Sequence, residues 1–260
     1  MSNPLTSLNF AAFSIGGTDM LALLRTFAFS VENEQVDAAG LADRYVVHQV
    51  VKQSQSAEFT VFVNGSGGLR ASNLDITLWS IGGTAYLGAI RAGSIVATTE
   101  SRDRSGIADA YQFPNATRTQ VEVRTEKLVI VSAPFVESLM TGSISSFNVT
   151  ATITFAGSAF SCPMSIKSAR HSISRDELQM EEVVLTLAGT PTGPSDSSLL
   201  GNILLGTSLV SLSAATGGGT YATGTGQTAL IDRLTTSFKN AALVQQTGTL
   251  TMQGAGTWTA

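Results

Sequence analysis

The chain has 260 residues and a net charge of −4, from 15 Lys and Arg against 19 Asp and Glu. That length buries a good core, as one large β domain or as one domain with an extension. The mild acidity excludes a nucleic-acid-binding electrostatic footprint, and the single cysteine, Cys162, excludes an intrachain disulfide.

Gly, Ser, Thr and Ala are abundant and the mean hydropathy is positive. Large exposed apolar area marks partner surfaces, so the composition favours an oligomer. No run approaches the ~18 apolar residues of a membrane span. The start, MSNPLTSLNFAAFSIGGTDM, lacks a basic region followed by a clean apolar core, so no signal peptide and intracellular synthesis are expected. Glycosylation-type triplets at Asn64, Asn115 and Asn148 are then chance matches.

In chain order, residues 1–17 read as an extended arm ending in the turn Gly16-Gly17, and Asp19 to Leu24 as a short strand or one helical turn. Phe27, Phe29 and Val31 alternate with Ala28 and Ser30, the pattern of a half-buried strand. A second strand runs from Glu58 to Val63. The segment between them carries Glu32, Glu34, Asp37 and Asp43 with Arg44 as local counter-charge. It is too polar to order on its own and is expected to be a loop that orders against a neighbour.

Asn64-Gly65 opens a turn. Leu74 to Trp79 alternates, which places Asp75 opposite an apolar face. Short strands follow around Tyr86–Ile90 and Ile95–Val96, then a charged loop over residues 101–115. Residues 119–132 read as a strand pair carrying Glu122 and Glu126, and Pro134 to Gly142 as a short helix. Phe147 to Phe155 alternates for nine residues, the strongest strand pattern in the chain. Residues 162–189 echo the strand, polar excursion, strand order of residues 27–63. Beyond the break at Gly189–Pro194, Ser197 to Leu205 suggests a short helix capped by Ser197 or Ser198. The end, Gly248–Gly254, reads as an edge strand. The expected division is an arm (1–17), a β-rich core (18–194) and a C-terminal extension or small appended β region (195–260).

Residues for catalysis are few. His48 and His171 belong to no zinc-binding or elbow motif. The glycine-rich stretch Gly217–Gly226 lacks the lysine of a phosphate loop. Glu181 and Glu182 point to opposite faces of a strand. Glu32 and Glu34 share a face at about 7 Å by strand rise, where an acidic contact patch outweighs an acid–base pair. No enzyme, cofactor or metal is expected.

The segments SVENEQVDAAGLADRYVVHQVVKQSQSAEFTVFV and MSIKSARHSISRDELQMEEVVLTLAGTP, within an organisation running from Leu5 to Pro191, resemble the major tail tube proteins of tailed bacteriophages, relatives of type VI secretion tube proteins. The likeness is one of pattern, without a diagnostic motif. It implies a mainly β sandwich or barrel with one flanking helix, and hexameric rings stacked into a tube. Such a protein resides in the virion and is assembled in the bacterial cytoplasm. DNA passes through without specific binding, and the partners are further copies, the tape measure, the tail terminator and the baseplate or tip, with no membrane. On that resemblance Glu32, Glu34, Asp37, Asp43 and Arg44 are expected at contacts between rings. Asp75, Glu122 and Glu126 are the candidates for an acidic lumen, which a sliding polyanion requires. The alternatives are a capsid-decorating, head–tail joining or receptor-binding β module, and a secreted hydrolase using His48 or His171.

Overall fold

A computed structural model describes residues 10–39, 45–46, 48–65, 70–106, 109–129, 135–142, 147–175, 178–193, 199–204, 208–217, 219–223 and 228–259. They form a mainly β protein, two sheets around a shared core with two short helices. The strands are β1 (Phe10–Ile15), β2 (Thr18–Asp19), β3 (Leu24–Asp37), β4 (His48–Phe62), β5 (Ile76–Ile81), β6 (Thr84–Ala85), β7 (Ile90–Asp103) and β8 (Pro114–Leu128). Helix α1 (Phe135–Met140) precedes β9 (Asn148–Phe155), β10 (Ser158–Ser172) and β11 (Met180–Leu187). Helix α2 (Leu199–Leu204) leads to β12 (Leu209–Val210), β13 (Leu212–Thr216), β14 (Gly219–Thr223), β15 (Ala229–Lys239), β16 (Gln245–Met252) and β17 (Gly256–Thr259).

The smaller sheet has the order β17-β14-β13-β1-β2, and the larger runs β3-β4-β16-β15-β7-β8-β11-β10-β9-β5-β6. Where one face is buried, the side chains alternate as strands require: Ala151, Ile153 and Phe155 go inward on β9, and Val121 and Val123 on β8. Gly16-Gly17 and Gly82-Gly83 both have positive φ at their two positions, the tight-turn geometry that joins β1 to β2 and β5 to β6.

The fold is a duplication. Ser14-Ile15-Gly16-Gly17-Thr18 recurs as Ser80-Ile81-Gly82-Gly83-Thr84, and Leu21 and Arg25 recur as Leu87 and Arg91. Asp37 to Tyr45 (DAAGLADRY) recurs as Asp103 to Tyr111 (DRSGIADAY). Every element between Phe10 and Phe62 has a counterpart 66 positions later: β1 with β5, β3 with β7, and β4 with β8. The 3-10 turns Leu21–Leu23 and Leu87–Ala89 match too. Irregularities are shared as well, since the register shift at Glu34/Gln35 reappears at Glu100/Ser101. In the C-terminal half, β10 and β11 match β15 and β16 at 65 positions, and the shift at Ile166/Ser168 recurs at Ile231/Arg233. The small hairpin β9–β10 corresponds to β13–β14, with Phe155 standing where Thr216 stands.

Two equivalent units result. The first contains β3-β4-β16-β15 in the large sheet and β1, β13 and β14 behind it. The second contains β7-β8-β11-β10, backed by β5, β9 and the first half of β10. They lie side by side, joined where β15 pairs with β7.

Several expectations need correction. The repeat joins residues 10–62 to 76–128, not 27–63 to 162–189, whose counterpart is instead 229–252. Much of the polar excursion is strand: the β3–β4 ladder runs on to Asp37↔His48, because backbone pairing satisfies an exposed ribbon whatever its side chains. Residues 119–128 belong to one strand, β8, which pairs with β7. Residues 209–259 are not appended, since β13 pairs with β1 and β16 lies between β4 and β15. Residues 248–252 are therefore central, not an edge. Helix α1 matches its expectation from Phe135 to Met140, and α2 falls within Ser197–Leu205; Pro134, Ser197 and Ser198 lie outside the described residues. So do residues 1–9 of the arm, which from Phe10 is strand β1.

Candidate assembly surface

Two features of the large sheet are exposed and built alike in both units: a pair of projecting hairpins and an open face. The β3–β4 hairpin continues past Ser56, the last β4 residue paired to β16, through residues 48–55. At the usual rise this projection is about 25 Å long. The β7–β8 hairpin projects equally past Glu122. The hairpins are tied together. Gln53 N–H donates to the Ala110 carbonyl (2.9 Å) and Gln112 N–H to the Gln53 carbonyl (3.1 Å). Lys52 pairs with Asp103 (3.0 Å). The Ser105 hydroxyl and amide and the Lys52 ammonium hold the Asp103 carboxyl well below the usual carboxylate range.

Glu32, Glu34 and Asp37 are all on the outer half of β3 and exposed. Asp43 and Arg44 lie outside the described residues. Val36, Tyr45, Val46, Val50 and Val51 stand exposed on the same hairpin.

The open face is crossed by cross-strand rows such as Thr60, Thr247, Thr235, Val96, Glu122 and Thr186. Glu122 and Glu126 both face this side. Glu122 accepts from Arg124 (2.6 Å) and Lys167 (2.8 Å), and these cations, Lys167 first, hold its carboxyl below the usual range. The face is thus hydroxyl-rich with charges of both signs, rather than uniformly acidic. Asp75 is not part of it. The strand begins only at Ile76, and Asp75 closes a 3-10 turn, accepting from the Ser72 amide (2.7 Å) while the Ser72 hydroxyl accepts from Leu74 N–H. No sequence pattern marked Lys167 as the partner of Glu122, since they are 45 positions apart and meet only through the β8–β11–β10 order.

Among the described residues, neither histidine is hydrogen-bonded to a serine or a carboxylate. His48 is exposed on β4. His171 faces inward on β10 opposite Glu181, and its Nε2 has no hydrogen-bond partner among the described residues. Glu181 itself is committed to Lys127 and to the amides of Phe135 and Val136. Among the described residues no group of three or more His, Cys, Asp or Glu is placed to hold a metal ion, and no helix is long and apolar enough to cross a membrane. Burial pushes the Cys162 thiol up to about 11. Thiolates, not thiols, react, so Ellman's reagent is expected to leave the native protein unlabelled at pH 8 and to label one thiol per chain in guanidinium; rapid native labelling would contradict this.

No family model and no curated protein matches the chain. Among solved structures, a chain from the virion of a native gene transfer agent particle is 13% identical, with a TM-score of 0.39, over 46% of this chain and 95% of that one. A chain from the tail of an empty gene transfer agent particle, solved by helical refinement with C6 symmetry, is also 13% identical, with a TM-score of 0.36, over 52% of this chain and 93% of that one.

Proposed function

We propose that the protein is a structural subunit of a virion that builds the tail tube of a phage-like particle, forming stacked rings through which DNA passes without specific binding. The observation that carries this reading is the repetition of one four-stranded unit within a single sheet, with the paired hairpins projecting from one end. A unit that repeats side by side adds further copies by the same step, and a heterologous contact of this kind closes into a ring when the rotation allows. Closure also removes the exposed edges that would otherwise template aggregation.

The open face then lines the channel. Its hydroxyls and mixed charges give a sliding polyanion no cationic track to hold it. The hairpin ends, with Glu34 and Asp37 beside Val36, Tyr45 and Val46, reach the next ring. Further copies of the chain are the principal partner, with the proteins that set tube length and close its ends beside them. Negative-stain electron microscopy of the purified protein over a concentration series tests the reading. Rings or hollow filaments are expected, and Glu34→Gln with Asp37→Asn should change stacking while single rings persist. A compact monomer at every concentration would overturn it, and a trimer without a channel would favour a decorating or receptor-binding role.

A further inference from the structure

We infer that a second copy of the chain docks its β3 edge on the free edge of β10 in one defined antiparallel register, repeating between molecules the junction that β15 and β7 make within one. The contact itself rests on the duplication; only the number of chains per ring rests on the tube reading.

The register follows from the repeat. Within the chain, Arg233 lies opposite Thr98, Leu234 opposite Ala97, Thr236 opposite Ile95 and Phe238 opposite Gly93. Moving back 65 positions on β15 and 66 on β7 places Ser168 opposite Glu32, Ala169 opposite Val31, His171 opposite Phe29 and Ile173 opposite Phe27. Among the described residues both edges are open. β3 ends the large sheet, and beyond Ile166 β10 pairs with β11 alone among the described residues.

Burial differs at just these positions. Ile95 and Ala97 are 0% exposed in the internal junction, whereas their counterparts Phe29 and Val31 are 37% and 46% exposed. Phe238 is 1% exposed and its counterpart Ile173 is 70% exposed. Phe238 earns its burial by packing edge-on against Trp79 and Phe155. The corresponding place in the first unit, beside Phe13 and Thr216, opens into an apolar cleft of about 360 Å³ lined by Phe10, Phe27, Phe29, Thr216 and Tyr221. Ile173 of the neighbouring copy fills that cleft. The hairpin loops agree: the Tyr111 loop lies along β4 at Gln53, while the equivalent Tyr45 is 77% exposed. In the assembly Tyr45 lies along the neighbour's β8 near Thr119. Charge also selects head-to-tail pairing, since β3 presents Glu32, Glu34 and Asp37 and the β10 edge presents Lys167 and Arg170. Two β3 edges would set like charges against each other.

Each chain supplies two of the pseudo-equivalent units; where the six places of the hexameric ring that the resemblance implies are units, the ring is three chains. Its alternate junctions are covalently continuous and non-covalent.

Disulfide trapping tests the register. Ser172 and the neighbour's Ala28 stand opposite, as Ser237 and Ser94 do within the chain. In one chain they are about seven strand spacings apart, roughly 34 Å, too far to bridge. Mixed Ser172→Cys and Ala28→Cys chains are expected to form a linked dimer on oxidation, while neither variant links to itself. A chain carrying both substitutions should give a ladder ending at three. In parallel, Ile173→Asp with Val31→Glu, both at exposed positions, should leave the far-UV spectrum unchanged and shift sedimentation from rings to monomers. Linking of either single variant to itself, no linking in the mixture, or rings unaffected by Ile173→Asp and Val31→Glu would overturn the contact. Trapped rings that never stack would leave the contact standing and refute the tube, whereas tubes without the trapped pair would do the reverse.

Discussion

Replacing Lys127 by Val alone is expected to destabilise the fold by about 3–5 kcal/mol, because it leaves the Glu181 carboxylate buried without its counter-charge. Both side chains are wholly buried, and Lys127 also lies over the Tyr86 ring, 4.5 Å from its centroid. The sister unit shows a neutral solution. There Val61 stands in place of Lys127 and Gln246 in place of Glu181, and the Gln246 amide donates to the Thr236 hydroxyl (3.1 Å). Thr236 corresponds to His171, whose Nε2 has no hydrogen-bond partner among the described residues and can accept such a donor. The double variant Lys127→Val, Glu181→Gln is therefore expected to recover most of the loss. Urea denaturation at one fixed protein concentration measures all three proteins, since subunit association adds to apparent stability. A double variant as unstable as Lys127→Val would show that the pair is not interchangeable with its neutral counterpart.

Gly93→Ala is expected to cost about 1–3 kcal/mol by overpacking. A Cβ there would lie 2.6 Å from Trp79 Cζ2 and 3.1 Å from the Arg124 carbonyl. Trp79 is fully buried and fixed by a hydrogen bond from its indole N–H to Thr125 (3.0 Å), so it does not swing aside freely. In the other unit the same three places hold Phe13, Phe27 and Phe59, so a smaller ring at the tryptophan's place accompanies a larger residue at the glycine's. Trp79→Phe should thus make room for Gly93→Ala, and the pair should be less destabilised than the two single changes summed. Simple additivity in thermal melts would reject that coupling.

These exchanges explain what was and was not legible beforehand. Strands with one buried face announced themselves, as in Phe147–Phe155, because inward positions had to be apolar. The hairpin ribbons did not, because Glu32-Asn33-Glu34-Gln35 are exposed on both sides and carry no alternation to read. The duplication was written plainly in the Gly-Gly turns, where positive φ leaves little choice of residue, and in the two Asp-x-x-Gly loops. Elsewhere the match was not kept position by position: Phe27 stands where Gly93 does, and the space over Gly93 is taken by Trp79, which packs against Phe238. Of the surface residues, the acidic run on β3 was visible as composition. That Glu122 meets Lys167, and that Asp75 caps a turn, depend on strand order and strand start, which no local pattern encodes.

The order of the halves along the polypeptide is nested: residues 10–62 and 199–259 make one unit, and residues 76–187 make the other between them. On a ribosome the inner unit emerges complete while the outer one still lacks half its strands. Until residues 229–252 appear, β4 has an open side and β7 has no neighbour at the junction. The segment that welds the two units into a single sheet is thus made after every strand of the inner unit. A chain interrupted before it holds the strands of the inner unit without the β15–β7 junction.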